Sequence, residues 1–203
     1  MPKLKVCIKT HKENEPFRPI VNNKQAQSYK IANYLNQSLN NLIYLPYTFT
    51  TKNSQEIDQE LKNIELKIHN KKVTLGIKDL YVNLPIQNIL HITKFWLNEH
   101  NNDNTINEQT LHPLKIILKQ SYFQYNNQFF QPEKGFAMRS PISSTIAEIY
   151  LQFLEEMYIK QWLESKEIIY NKIYVDDILI IFDQNRTNGK TIINRMNNND
   201  KHL

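Results

Sequence analysis

The sequence predicts an α+β fold in which an antiparallel sheet packs on helices. Three observations carry this expectation. Apolar residues recur at helical spacing in several stretches, strand-like runs come in pairs joined by short turns, and strands and helices nowhere alternate regularly as a parallel β-α-β sheet requires. With 203 residues, 40% of them hydrophobic, the chain can bury a real core as one domain or as part of a larger protein.

Residues 1–25 mix basic side chains with the segment PFRPIV, where Pro16 and Pro19 favour extended, turned backbone over helix. Tyr29 to Leu42 places Ile31, Tyr34, Leu35, Leu39 and Leu42 at helical spacing. Gln55 to Ile68 repeats the pattern with Ile57, Leu61, Ile64 and Ile68. The segment VTLGIKDLYVNLP predicts a short strand ending near Asp79, and Pro85 is placed to open a helix running to about His100. NEHNNDNTIN is polar and loop-like. Glu108 to Ser121 then predicts a helix, and YFQYNNQFFQ a hairpin turning at Asn126 and Asn127. Beyond the loop EKGFAMRSP, Ser144 to Ser165 predicts the longest helix, with Ile146, Ile149, Tyr150, Phe153, Leu154, Met157 and Trp162 on its apolar side. The tail MNNNDKHL predicts fraying.

Composition excludes several classes. No apolar run reaches the length of a membrane span, and MPKLKVCIKTHK lacks the apolar segment of a secretory signal, so the expectation is an intracellular chain. A single cysteine, Cys7, forbids an internal disulfide, and the six histidines lack ligand spacing, which argues against zinc. A net charge of +5 is compatible with a polyanionic partner but is weak support by itself. Asn and Ile occur 26 times each, against four Arg and three Gly, so each Gly and Arg is informative.

One stretch calls for chemistry. IYVDDILIIF places Asp176 and Asp177 between two apolar runs, which predicts a hairpin with both carboxylates at its tip. Two close carboxylates repel unless a cation lies between them, and a divalent metal supplies one. A solvated turn is the competing reading, since Asp is common in turns.

Four segments in order carry a family resemblance: KTHKENEPFRPIV, KDLYVNLPI after a strand, GFAMRSPISSTIAEIYLQFLE before a long helix, and YVDD within an apolar hairpin. Together they resemble reverse transcriptases, most closely those of Penelope-like retroelements, from about Lys3 to Leu203. The resemblance implies a fingers and palm fragment, with residues 1–72 as partial fingers, 73–182 as palm and 183–203 as the start of a following segment. It implies nucleotide transfer to a primer 3'-hydroxyl through two Mg²⁺ ions, or Mn²⁺ in their place, with an RNA template, a DNA primer and deoxynucleoside triphosphates as partners.

The resemblance also assigns residues. Asp176 and Asp177 would hold metal, with Asp176 the surer ligand. Lys9, Lys12 and Arg18 would approach the triphosphate, Arg18 through the planar fork of its guanidinium; a solvated basic surface is the alternative for the three. Tyr81 would stack under the deoxyribose and exclude a 2'-hydroxyl, or else serve as an ordinary core aromatic. Asp79 would lie near the triphosphate. The loop containing Gly135, Met138, Arg139, Ser140 and Pro141 would bring backbone close to the nucleotide and template base.

Two positions depart from the pattern. Gly76 stands where relatives carry an essential Asp, which leaves a catalytic position vacant. Asp79 is a poor substitute, because three residues of strand span roughly 10 Å and reverse the face. Arg139 stands where relatives carry glycine, in a place suited to close backbone approach. The chain begins inside the fingers pattern and stops after the acidic hairpin, which predicts a truncated reading frame. The expectation is a chain of polymerase ancestry with impaired or no turnover. The rivals are a catalytically silent nucleic-acid-binding fragment, a non-functional element remnant and, less favoured, a metal-dependent nuclease.

Overall fold

The computed structural model describes residues 2–8, 10, 17–46, 49–51, 53–137 and 139–199. In chain order the elements are β1 (Lys3–Ile8), β2 (Phe17–Asn22), α1 (Tyr29–Leu42), α2 (Ser54–Lys62), β3 (Asn70–Gly76), α3 (Leu80–Asn83), α4 (Ile86–His100) and α5 (Asn104–Lys119). The hairpin β4 (Phe123–Tyr125) and β5 (Gln128–Phe130) follows, then α6 (Ser143–Leu154), a π-helical turn over Glu155–Ile159, α7 (Lys160–Glu164), β6 (Ile168–Tyr174), β7 (Asp177–Asp183) and α8 (Gly189–Asn199). The expected α+β class holds. No helix among the described residues is long and apolar enough to cross a membrane.

The chain divides into two compact units, each drawn from two stretches: Met1–Tyr44 with Tyr81–Tyr150, and Leu45–Leu80 with Leu151–Leu203. These stretches interleave, whereas the segments expected from the sequence are consecutive.

The first unit holds a four-stranded sheet in the order β2-β1-β4-β5. β1 and β2 pair antiparallel from Lys3 opposite Asn22 to Ile8 opposite Phe17, and β4 joins β1 in parallel through Lys3 and Gln124. The β4–β5 turn falls at Asn126 and Asn127, as expected, and both take positive φ, which Asn tolerates better than most residues. Helices α1, α4 and α5 bury Leu35 and Leu39, Ile89 and Leu97, and Leu114 and Leu118. Ile31 and Tyr34, expected on the apolar side of α1, are exposed, and Ala32 is buried in their place.

The polar tract NEHNNDNTIN contains much less loop than its composition suggests. Asp103 caps α5 by accepting from the backbone N–H groups of Thr105 and Ile106 at 2.9 and 3.2 Å. Asn107, only 2% exposed, donates to the Asn98 side chain and the Asn101 carbonyl, while Asn101 donates back to it at 2.9 Å. A residue type usually found in loops here clamps two helices together.

The second unit is built on a three-stranded antiparallel sheet in the order β3-β7-β6. One face carries Ile173, Ile178, Ile180 and Phe182 into a core completed by Ile168 and Ile192. Residues 49–51 bond to the outer edge of β6, through Ile173 N–H to the Phe49 carbonyl at 2.7 Å and Thr51 N–H to the Ile173 carbonyl at 2.9 Å.

Three expectations need correction here. The helix expected over Gln55–Ile68 stops at Lys62 with Asn63 as its cap, and Ile68 is 98% exposed, so its helical spacing buries nothing. The strand expected to end near Asp79 ends at Gly76, where its ladder reaches Asp177, the first residue of β7, and Asp79 itself takes φ 50°, which extended backbone cannot hold. Across Ser144–Ser165 the helix is continuous through α6 and α7, but the π-helical turn inserts an extra residue and rotates the buried face. Met157, expected on the apolar side, is therefore 48% exposed, while Glu155 and Ile159 are buried.

Candidate active site

The acidic hairpin forms as expected, with its turn one residue earlier. Tyr174 pairs with Asp177, so Val175 and Asp176 make the turn and Asp177 is the first residue of β7. Val175 takes φ 58°, a conformation that costs a β-branched residue energy and persists only where its surroundings impose it. Both carboxylates are exposed.

β7 is the central strand, so Asp177 has neighbours on both sides: Tyr174 on β6 and Gly76 on β3. A Cβ added at Gly76 would lie 3.7 Å from Asp177 Oδ1, an ordinary van der Waals contact, with no other neighbour crowding it. The backbone beyond is tied to the turn, since Ile77 N–H donates to the Asp176 carbonyl at 2.7 Å. Gly76, Asp176 and Asp177 are thus brought together at one end of the sheet.

Asp79 does not join them as a third ligand. Among the described residues no group of three His, Cys, Asp or Glu side chains is placed to hold one metal ion. The donor set at the tip is two adjacent carboxylates. Mg²⁺ is held by one or two carboxylates when substrate phosphates and water complete its shell, but a pair of metal ions needs carboxylates from separate strands to bridge them. Gly76 supplies none, and the described residues do not fit a two-metal centre.

The face of the sheet that bears Asp177 also carries Thr74, Leu179, Lys172 and Tyr174, as the cross-strand registers require. With Ile57 of α2 they line a groove of about 350 Å³. α2 is held by Glu60, which accepts from Tyr170 Oη and from Lys172 Nζ, each at 2.8 Å. Burial, followed by the hydrogen bond and negative charge of Glu60, pushes the Tyr170 hydroxyl well above its ordinary range. Sequence reading passed over Lys172 and Glu60. The alternation of NKIY, which puts Lys172 and Tyr174 on one face, together with the pairing of Tyr174 with the strand-opening Asp177, was the available signal for Lys172.

In the first unit the loop residues meet Tyr81. Gly135 takes φ 65°, and a Cβ there would lie 2.3 Å from the Tyr81 carbonyl oxygen and 2.5 Å from that of Val82. Only glycine fits. Phe136 N–H donates to the Tyr81 carbonyl at 3.0 Å, and the two rings meet edge to face at 5.9 Å. Farther along, Ser143 Oγ and Ser140 N–H both donate to the Ala137 carbonyl, at 2.6 and 3.2 Å. Arg139 is exposed, and Pro141 is half-buried. Lys9, Lys12 and Met138 lie outside the described residues. The backbone of Arg18 pairs with Cys7 in the β1–β2 ladder.

No protein-family model and no curated protein matches the chain. Solved structures do. Telomerase from Candida tropicalis in complex with a TWJ fragment of telomeric RNA overlays with a TM-score of 0.71 at 16% identity, covering 99% of this chain and 39% of the telomerase chain. Telomerase from Candida albicans in complex with a TWJ fragment gives 0.63 at 12% identity, covering 97% and 39%. Apo telomerase from Candida tropicalis truncated from its C-terminal domain gives 0.62 at 14%, covering 99% and 47%. The chain thus spans less than half the length of these structures. At such identities the likeness concerns the fold and leaves the Penelope-like assignment to the motifs. The chain has a reverse-transcriptase-like fold of the kind found in telomerase.

Proposed function

We propose that the chain is a fingers and palm segment of a retroelement RNA-directed DNA polymerase, of the Penelope-like class, whose capacity for nucleotide transfer is impaired by its own sequence. The ordered motifs and the reverse-transcriptase-like fold support the ancestry. The observation that carries the impairment is the facing of Gly76 and Asp177: a side chain at 76 would enter the space beside Asp177 Oδ1, where an acidic group would complete a metal-binding set.

Bound magnesium would lower the pKa of an attacking hydroxyl and hold a triphosphate. Among the described residues, Asp176 and Asp177 alone are too few carboxylates to position two such ions. What its residues retain is recognition. Lys9, Lys12 and Arg18 serve phosphate, Tyr81 the sugar, and the loop from Gly135 to Pro141 the nucleotide and template base. Arg139 places a cation where relatives have bare backbone, which obstructs that approach. An RNA template paired with a DNA primer is the proposed partner, in keeping with the RNA present in two of the telomerase structures.

The test is Mg²⁺-dependent primer extension on an RNA template, with Mn²⁺ in parallel, by the unaltered chain and the Gly76→Asp, Arg139→Gly double variant. The expected result is no extension by the unaltered chain, together with binding of the RNA–DNA hybrid that weakens steeply with salt. Robust extension by the unaltered chain overturns the impairment. Absence of any salt-dependent hybrid binding overturns the retained recognition.

A further inference from the structure

The core side of the same sheet holds a feature that nucleotide transfer does not use. Leu75, Ile173, Ile178, Leu151, Trp162 and Met196 wall a cavity of about 120 Å³ in the second unit. Its walls are mainly apolar, yet Glu155 also lines it and is only 3% exposed. Glu155 opens the π-helical turn of the long helix. Such turns strain a helix and recur at functional sites. Here the turn coincides with an acidic residue being brought to the buried face.

A carboxylate accepts up to about four hydrogen bonds, so a protein partner leaves capacity for a ligand. Burial in an apolar wall disfavours a carboxylate as a free anion, and a cationic guest that pairs with it offsets that cost where a neutral or anionic guest does not. Charges near the wall are matched elsewhere, because Arg195 lies over the Trp162 ring at 5.8 Å and pairs with Glu167, and Lys160 pairs with Glu156 at 3.1 Å. The cavity volume is of the order that accepts one six-membered ring, since an apolar cavity of about 150 Å³ takes benzene. Tyr158 and Trp162 add aromatic surface that suits a cation.

We propose that this cavity is a binding site for a small organic cation, a primary amine carried on a single apolar ring, with its ammonium on Glu155 and its ring among Leu151, Ile173 and Ile178. The site does not depend on the polymerase reading. Leu75, Gly76 and Ile77 line it on the β3 side, so a guest perturbs the strand end that faces Asp177.

The experiment titrates the full chain with benzylamine and, separately, with the neutral benzyl alcohol, reading backbone amide NMR shifts. Benzylamine is expected to move the amides of 75–77 and 155–159 saturably, with a Kd at least about tenfold below that of benzyl alcohol. Glu155→Gln is expected to erase that difference, and Leu154→Phe, which fills the cavity, to weaken both probes. Equal binding of the two probes, shifts confined to other surfaces, or no saturable binding overturns the proposal. So does an unchanged amine preference in Glu155→Gln. The probe comparison on the unaltered chain, with Leu154→Phe as control, decides the matter even where Glu155→Gln does not fold.

Discussion

Gly135 packs against Tyr81 with no room for a single added carbon: a Cβ would sit 2.3 Å from the Tyr81 carbonyl oxygen, on backbone already at φ 65°. Loop and helix α3 are seated on each other through this contact and the hydrogen bond from Phe136 N–H. Gly135→Ala adds a backbone clash to a conformation that L side chains resist, and is expected to cost about 1–3 kcal/mol. Urea denaturation of the two chains measures it. A loss below about 0.5 kcal/mol contradicts the close seating.

Val175 makes the opposite prediction. Its φ of 58° strains a β-branched residue at the exposed tip of the β6–β7 hairpin. Val175→Gly is expected to stabilise the chain by about 1 kcal/mol, read as a higher denaturation midpoint with unchanged slope. A destabilised variant would show that the Val175 side chain contributes more through contacts than it costs in strain.

Glu60 gives a pH signature. Tyr170 has a folded-state pKa raised above its ordinary value of 10.0, chiefly by burial and then by Glu60. A raised pKa means that the folded state holds the proton more tightly than the unfolded chain. The stabilisation is therefore complete below about pH 10 and is lost as pH climbs from there towards the folded value. Thermal melts from pH 8 to 11 are expected to fall more steeply for the unaltered chain than for Tyr170→Phe. Parallel falls would mean that Tyr170 is not the group responsible.

Asn107 tests the clamp between α4 and α5. It is buried and bonded to Asn98 and Asn101, so Asn107→Leu strips those partners of their bonds while replacing the amide with an apolar side chain of similar size. The expected cost is about 1–3 kcal/mol, from polar groups left without partners. Hydrogen exchange at the start of α5 is expected to accelerate with it. An unaltered exchange pattern would mean that this network does not hold the start of α5 in place.

What the sequence made legible follows from the kind of signal each element carries. The bounds expected for α1 and the β4–β5 turn match the structure, because apolar period and paired asparagines act locally. The α+β class followed from the absence of regular alternation. Ile64 and Ile68 misled because spacing alone does not reveal whether a surface exists to cover them, and Ile68 has none. Met157 misled because a π-helical turn shifts the face without changing composition. NEHNNDNTIN misled because asparagine is as able to cap and clamp helices as to line a loop. At the candidate site, Asp176, Asp177 and Gly76 were named from motif order, and their juxtaposition depends on β3 lying next to β7, which no local signal contains. Glu60 and Glu155 were passed over for the same reason, since each matters through residues distant in sequence.

The central claim is that position 76 is where an acidic ligand belongs. Its most direct measurement is equilibrium Mn²⁺ binding to the unaltered chain, to Gly76→Asp and to Gly76→Ala, at one ionic strength and pH 7. The register of Gly76 with Asp177, and the 3.7 Å between its added Cβ and Asp177 Oδ1, predict roughly tenfold or greater tightening in Gly76→Asp and none in Gly76→Ala. Equal affinity in all three chains would contradict the claim.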